Sequence, residues 1–144
     1  MSNGVSPLGW LNPEAGGNIS PKRFCTLVAG VPNQVVQASN KNQILVGISG
    51  ANTRYTPGSP ADDGFHAIAG EPVTLYGPFQ RCLLKLGVTA VTDMTVLLTT
   101  DASGQGVPTA PVAGTVCYYG ALPLRLAAAG ADIPVIVLPI IITN

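Results

Sequence analysis

Residues 97 to 106 read LLTTDASGQG, an apolar run that ends in an acid and then a loop of small residues with two glycines. Three chemistries use loops of this kind. A phosphate loop needs GxxxxGKS or GxxxxGKT, so that backbone amides ring the phosphates and a lysine reaches them. No lysine follows Gly106 anywhere in the chain. A calcium loop of the EF-hand kind needs acids at alternate positions and a closing glutamate. Asp101 stands alone, and no glutamate follows it. The third use is a turn between strands, which needs residues that tolerate positive φ or bond their own backbone. Asp, Ser and Gly are those residues, and the stretch reads as a turn.

The remaining reactive side chains are few. His66 is the single histidine, with Asp62 and Asp63 nearby in sequence. A Ser-His-Asp triad needs a histidine, but "GISGAN" (47–52) is not the GxSxG elbow, because Gly50 directly follows Ser49. Adjacent aspartates on extended chain diverge, which suits solvation better than a shared acid–base site. His66 therefore reads as a loop residue, with a His66–Asp62–Asp63 metal site as the alternative. Cys25, Cys82 and Cys117 are widely spaced and form no CxxC pair. Each lies among apolar neighbours and reads as a small buried hydrophobe. No catalytic residue, metal or cofactor is expected.

Composition narrows the partners. Apolar residues make up 47% of the 144 and charged ones only 10%, against about 25% in ordinary domains. Seven basic residues balance seven acidic ones, and the longest basic run is Lys22-Arg23. Nucleic acid and anionic membrane are therefore poor partners. A weakly charged surface is suited to meeting other proteins. The start "MSNGVSPLGW" has neither a basic end nor an apolar core, so no signal peptide is expected. "IPVIVLPIII" near the other end is broken by Pro134 and Pro139 and is too short to span a bilayer.

The elements that would position these residues are short strands. Residues 1–22 read as an extended arm with no core of its own, either frayed or docking on a partner through Leu8, Trp10 and Leu11. Residues 23–144 read as one β-rich domain. Strands are expected over 23–28, 34–39, 43–49, 72–77, 81–88, 94–101, 115–121 and 133–138, with a long loop over 50–70. In 81–88, Cys82, Leu84 and Leu86 share one face and Arg81 and Lys85 the other. In 94–101, Met94, Val96 and Leu98 oppose Thr95 and Thr99. "LRLAAAGA" (124–131) is either a short helix or a strand continuation turning back at Ala129-Gly130. Turn residues at short intervals indicate a mainly β fold, a single compact antiparallel β-barrel or sandwich. Tyr118 and Tyr119 must face opposite sides of their strand. The apolar tail Val135, Val137, Ile140 and Ile141 packs either in the core or between protomers.

Read in order, "LVGIS" (45–49), "AIAGEPVTLYG" (67–77), "LLKLGVTAVTDMTVLLTTDASGQGVP" (83–108) and "AGTVCYYGALPLRLAAAGADIPVIVLP" (113–139) form a pattern. This pattern resembles the capsid decoration, or head cement, proteins of tailed bacteriophages, in the group related to the lambda head decoration protein. Two positions depart from it: Thr92-Asp93 stands where the family has Gly-Asp, and Pro123 interrupts the alanine-rich segment. The resemblance implies a homotrimer, made in the host cytoplasm, on the outer surface of an icosahedral head. Its partners would be the major capsid protein and itself, and it would clamp neighbouring capsid subunits against the pressure of packaged DNA. The alternative is a head- or tail-fibre module that binds a cell-surface glycan through Tyr55, Tyr118 and Tyr119.

Overall fold

In the computed structural model, residues 13–144 are described. Ten strands follow in chain order: β1 (Glu14–Ala15), β2 (Phe24–Leu27), β3 (Gln34–Gln37), β4 (Leu45–Ser49), β5 (Leu75–Tyr76), β6 (Arg81–Lys85), β7 (Leu98–Thr100), β8 (Gly106–Pro108), β9 (Val116–Pro123) and β10 (Asp132–Thr143). The described residues contain no helix, and the fold is mainly β. One sheet has the order β1-β3-β2-β4-β5 and the other β6-β10-β9-β7-β8. All pairs are antiparallel except β1 with β3.

In both sheets an edge strand meets other chain. An open edge presents unpaired backbone groups, and this contact satisfies part of that demand internally. In the first sheet Glu14 bridges Pro72, and the Ala15 and Val73 amides donate to Glu71 and Pro13 carbonyls, each at 2.8 Å. In the second, Leu86 bridges Gly106, and the Gly87 amide donates to the Gly106 carbonyl at 3.0 Å. A Cβ on Gly106 would lie 2.7 Å from Leu84 Cδ2, so a larger residue there would have to displace the buried Leu84 side chain.

Residues 13–22 correct the expected arm boundary. They lie in the domain rather than outside it. Ala15 and Ile19 are fully buried, and the Ile19 amide donates to the Ala67 carbonyl at 2.8 Å. Only two residues of this segment make a strand, and glycine and proline flank them, so no period-two pattern marked it. Residues 1–12, with Leu8, Trp10 and Leu11, lie outside the described residues.

The core has two parts, because the first sheet is buried on both faces. Phe24, Leu45 and Ile48 pack against Leu84, Leu98, Ile133, Val135 and Val137 of the second sheet. On the other face Cys25 and Val35 meet Ala15, Ile19, Ala67, Val73 and Leu75. Successive strand residues point to opposite faces, which is why Phe24 serves one cluster and Cys25 the other.

Several expected strands are shorter or longer than their sequence pattern. Met94 is exposed and precedes β7. Asp93 accepts from the Thr95 amide (2.8 Å) and hydroxyl (2.7 Å), so an Asx-type turn displaces the start of the strand. Residues 124–131 form neither a helix nor a continuation of β9, which ends at Pro123, but the turn back at Ala129-Gly130 is present. Ala127 bridges Val91, and the chain turns at Gly130 with φ 77°. LLTTDASGQG is the β7–β8 hairpin. Asp101 Oδ1 accepts from the Ser103 and Gln105 amides at 2.8 and 2.9 Å, and Gly104 supplies a φ of 74°.

β10 is the longest strand of the second sheet and runs between β6 and β9. Proline is normally excluded from a central strand because it cannot donate to the ladder. Pro134 sits where that ladder runs out: β9 pairs with β10 only as far as Val135↔Pro123, and the Pro134 carbonyl accepts from the Leu124 amide at 3.0 Å. The register with β9 then shifts between Val137 and Ile140. Three steps on β10 match two on β9, which places one extra residue at Leu138-Pro139, a β-bulge.

Candidate functional site

The bulge decides which apolar side chains of β10 are available to a partner. Strict alternation would carry the inward set Ile133, Val135 and Val137 on to Pro139 and Ile141. The extra residue inverts that parity. Ile140 now stands opposite Tyr119 and Ile142 opposite Cys117, while Ile141 is opposite Tyr118. Ile140 and Ile142 are half-buried, and Ile141 is 51% exposed. The four tail residues singled out in the sequence thus divide. Val135 and Val137 are fully buried core. Ile140 and Ile141 lie on a ribbon formed by the start of β9 and the end of β10.

Around that ribbon the exposed apolar residues gather. Ile44, 55% exposed, lines a small cleft with Tyr118, Pro139, Ile140 and Ile141. On the other side of Tyr118 and Tyr119, exposed Val112 and Val116 line a larger cleft of about 280 Å³ together with Lys41, Thr115 and Cys117. The surface therefore runs from Ile141 past Tyr118 to Val112 and carries one charge, Lys41. Apolar side chains held by strand pairing lose little conformational freedom when they are covered, so a partner gains most of the burial energy. The sequence drew attention to Ile140 and Ile141 but not to Ile44, Val112 or Val116, which sit beside turn residues and follow no period.

Tyr119 is core at 1% exposure, and Tyr118 is half-exposed, so the two neighbours do face opposite ways. Tyr55 lies in the 50–70 loop, its ring 4.8 Å from the Arg54 guanidinium carbon. It belongs to neither cleft beside Tyr118 and Tyr119.

The acid–base candidates hold the loop together. The Thr74 amide donates to His66 Nε2 at 3.1 Å, so that nitrogen is the acceptor. His66 Nδ1 then carries the proton and donates to the Asn52 carbonyl at 2.7 Å. Asp62 accepts from the Gly64 amide (2.9 Å) and Asp63 from the Phe65 amide (3.1 Å). Arg54 bridges Asp63 at 2.8 Å and grips Glu71 with two bonds of 2.7 and 2.8 Å. The bidentate Arg54 pair, helped by the Ile68 amide, pulls the Glu71 carboxyl down to about 2. Arg54 is correspondingly held above its ordinary value, chiefly by the Glu71 bonds. Among the described residues, no three His, Cys, Asp or Glu side chains converge on a point that could hold a metal.

The three cysteines differ sharply. Burial pushes the Cys25 and Cys82 thiols up to about 12. Cys117 moves the other way, because the Val112 backbone and the Thr115 side chain, its Oγ1 3.6 Å from the sulfur, favour the thiolate, with smaller help from Tyr119 and Lys41. All three are free thiols. The expectation of three alike buried hydrophobes therefore holds for Cys25 but not for Cys117, which is half-exposed on the ribbon.

No family model matches the chain, and no curated protein is found similar to it.

Proposed function

We propose that the chain is a decoration subunit of an icosahedral phage head, a structural protein that assembles as a trimer on the outer surface and clamps neighbouring major capsid protein subunits. The observation that carries this reading is the apolar ribbon beyond Pro139, where Ile141 stands exposed on paired strands and the exposed Ile44 lines the cleft beside it. The ordered motif resemblance over 45–139 agrees with it. In this reading Ile140, Ile141 and Ile44 pack between protomers, and Leu8, Trp10 and Leu11 reach the capsid. The low charge fraction lets both contacts form at little desolvation cost.

The mechanism is additive. Each trimer touches several capsid subunits, so modest contacts combine into high avidity. A trimer that binds only the intact lattice stabilises that lattice by mass action. Internal DNA pressure drives capsomers apart, and every bridge adds to the work required.

Sedimentation of the full chain and binding to heads that lack it form the test. The wild type is expected to run as a trimer and to coat the heads. Removing residues 1–12 is expected to leave the trimer and abolish coating. The cut must stop there, because β1 and Ile19 belong to the core. A monomeric wild type that leaves the heads bare overturns the reading.

A further inference from the structure

We propose that residues 8–12 dock on the surface of their own chain, laying Trp10 and its flanking leucines over an apolar patch at Leu27 and Val31. This concerns the free chain and does not rest on the reading above. The first observation is an opening in a covered face. Cys25 and Leu27 point to the same side of β2, and Leu27 stands opposite Val35 on β3. Cys25 and Val35 are fully buried on that side, packed with Ala15, Ile19, Ala67 and Val73. Leu27 is 54% exposed, although its strand lies between β3 and β4. The cover therefore ends between Val35 and Leu27. Val31, in the turn that joins β2 to β3, is 44% exposed. No Asp, Glu, Lys or Arg occurs over 24–40, so this part of the chain adds no charge to the patch.

The second observation is where the preceding chain enters. Pro13 is buried, and its carbonyl accepts from the Val73 amide at 2.8 Å. The Glu14 amide donates to the Asn33 carbonyl at 2.9 Å. β1 runs parallel to β3, with Glu14 opposite Gln34. The chain before Pro13 therefore enters beside the 28–33 turn, at the end of the sheet that carries Leu27 and Val31. β1 and β2 flank β3, so about 10 Å separates them. Trp10 is three residues from Pro13, a backbone reach of roughly 10 Å. Residues 1–12 lie outside the described residues, and their sequence, MSNGVSPLGWLN, has no charged side chain. An uncharged apolar segment is thus tethered beside an uncharged apolar patch.

The tether selects the chain's own segment over that of a second copy. A link this short gives an effective concentration on the order of millimolar, far above that of another copy in dilute solution. Leu27 is held by strand pairing, so covering it costs little side-chain freedom while apolar surface leaves water on both sides. Docking keeps Leu8, Trp10 and Leu11 from other proteins until a competing surface displaces them. Where the reading above holds, the major capsid protein is that surface.

Trp10 is the single tryptophan, so its fluorescence reports this segment alone. In the full native chain its emission is expected to lie to the blue of that of a synthetic peptide of residues 1–12, with acrylamide quenching several-fold weaker. Leu27→Asp and Val31→Asp, both at exposed positions, are expected to move emission to the peptide value and restore quenching, with little change in the urea midpoint. Val88→Asp, at a site 92% exposed and outside the patch, is expected to change neither. Wild-type chain refolded with an excess of chain carrying both Leu27→Asp and Trp10→Phe is expected to stay blue, because each segment uses its own patch. Peptide-like emission in the wild type, or blue emission that survives both Asp variants, removes the segment from Leu27 and Val31. A red shift in the mixture overturns docking within one chain and assigns the patch to a second copy.

Discussion

β10 contains the same kind of residue on either side of Pro139, and the two halves have opposite fates. Before the bulge, Ile133, Val135 and Val137 vanish between the sheets. After it, Ile140 and Ile142 are half-buried and Ile141 stands in solvent. Composition does not separate the halves; partners do. The first half is flanked by β6 and β9, and the second pairs with β9. Buried apolar area stabilises the fold, whereas exposed area of the same chemistry is free to stabilise an assembly. The bulge turns one continuous apolar strand into a core segment and an exposed segment.

The largest effect that would break this contrast comes from truncating one isoleucine in each half. Ile133→Ala opens a cavity in a fully buried site and is expected to cost about 2–5 kcal/mol in urea unfolding. Ile141→Ala at the exposed position is expected to stay within about 0.5 kcal/mol. Similar losses at both positions would mean that the ribbon belongs to the core after all.

Gly120 marks where β9 passes from one regime to the other. A Cβ there would lie 2.5 Å from Phe24 Cε1 and 2.9 Å from Leu45 Cδ1. Gly120→Val is expected to force the sheets apart at a cost of about 1–3 kcal/mol, read as a lower urea midpoint. An unchanged midpoint would place the boundary further along β9. Combining Ile141→Asp with Ile44→Asp probes the ribbon side. Unfolding should shift by no more than about 0.5 kcal/mol, while sedimentation is expected to fall from trimer to monomer. A trimer that survives both charges removes the ribbon from the protomer interface.

The contrast also explains what the sequence could and could not disclose. Apolar runs between turn residues exposed β2, β3, β4 and β9, the period-two pattern of 81–88 exposed β6, and turn chemistry exposed the Asp101 hairpin. Both are local signals. Residues 14–15 gave no such signal, since their strand exists only through a non-local parallel pairing with β3. The bulge was equally hidden. "VLPIII" announces apolar chain, but whether Ile140 or Ile141 faces outward depends on a single extra residue that only pairing with β9 reveals. Cys117 looked like its two counterparts because its surroundings in sequence are apolar. The groups that act on its thiol belong to Val112, Thr115 and Tyr119, and only the fold brings them to the sulfur.

Acid gives the smallest effect and sharpens the contrast from a third side. Glu71 holds the 50–70 loop through Arg54 and the Ile68 amide, and its folded pKa of about 2 lies below the ordinary 4.5. A depressed carboxyl stabilises the fold above the unfolded value and loses that contribution as pH falls toward the folded one. Loosening is therefore expected between about pH 4.5 and about 2. The paired ribbon residues, 116–119 on β9 and 140–143 on β10, carry no carboxylate side chain, so their amides should keep their protection across that window. Hydrogen exchange checks both halves of the claim, with faster exchange at Arg54, Ile68 and their neighbours and unchanged exchange on the ribbon. In Glu71→Gln the loop is expected to exchange faster at neutral pH and to lose most of its acid dependence, because Arg54 then faces a neutral amide at every pH. If the Gln variant keeps the full acid response, the Arg54–Glu71 pair does not carry it.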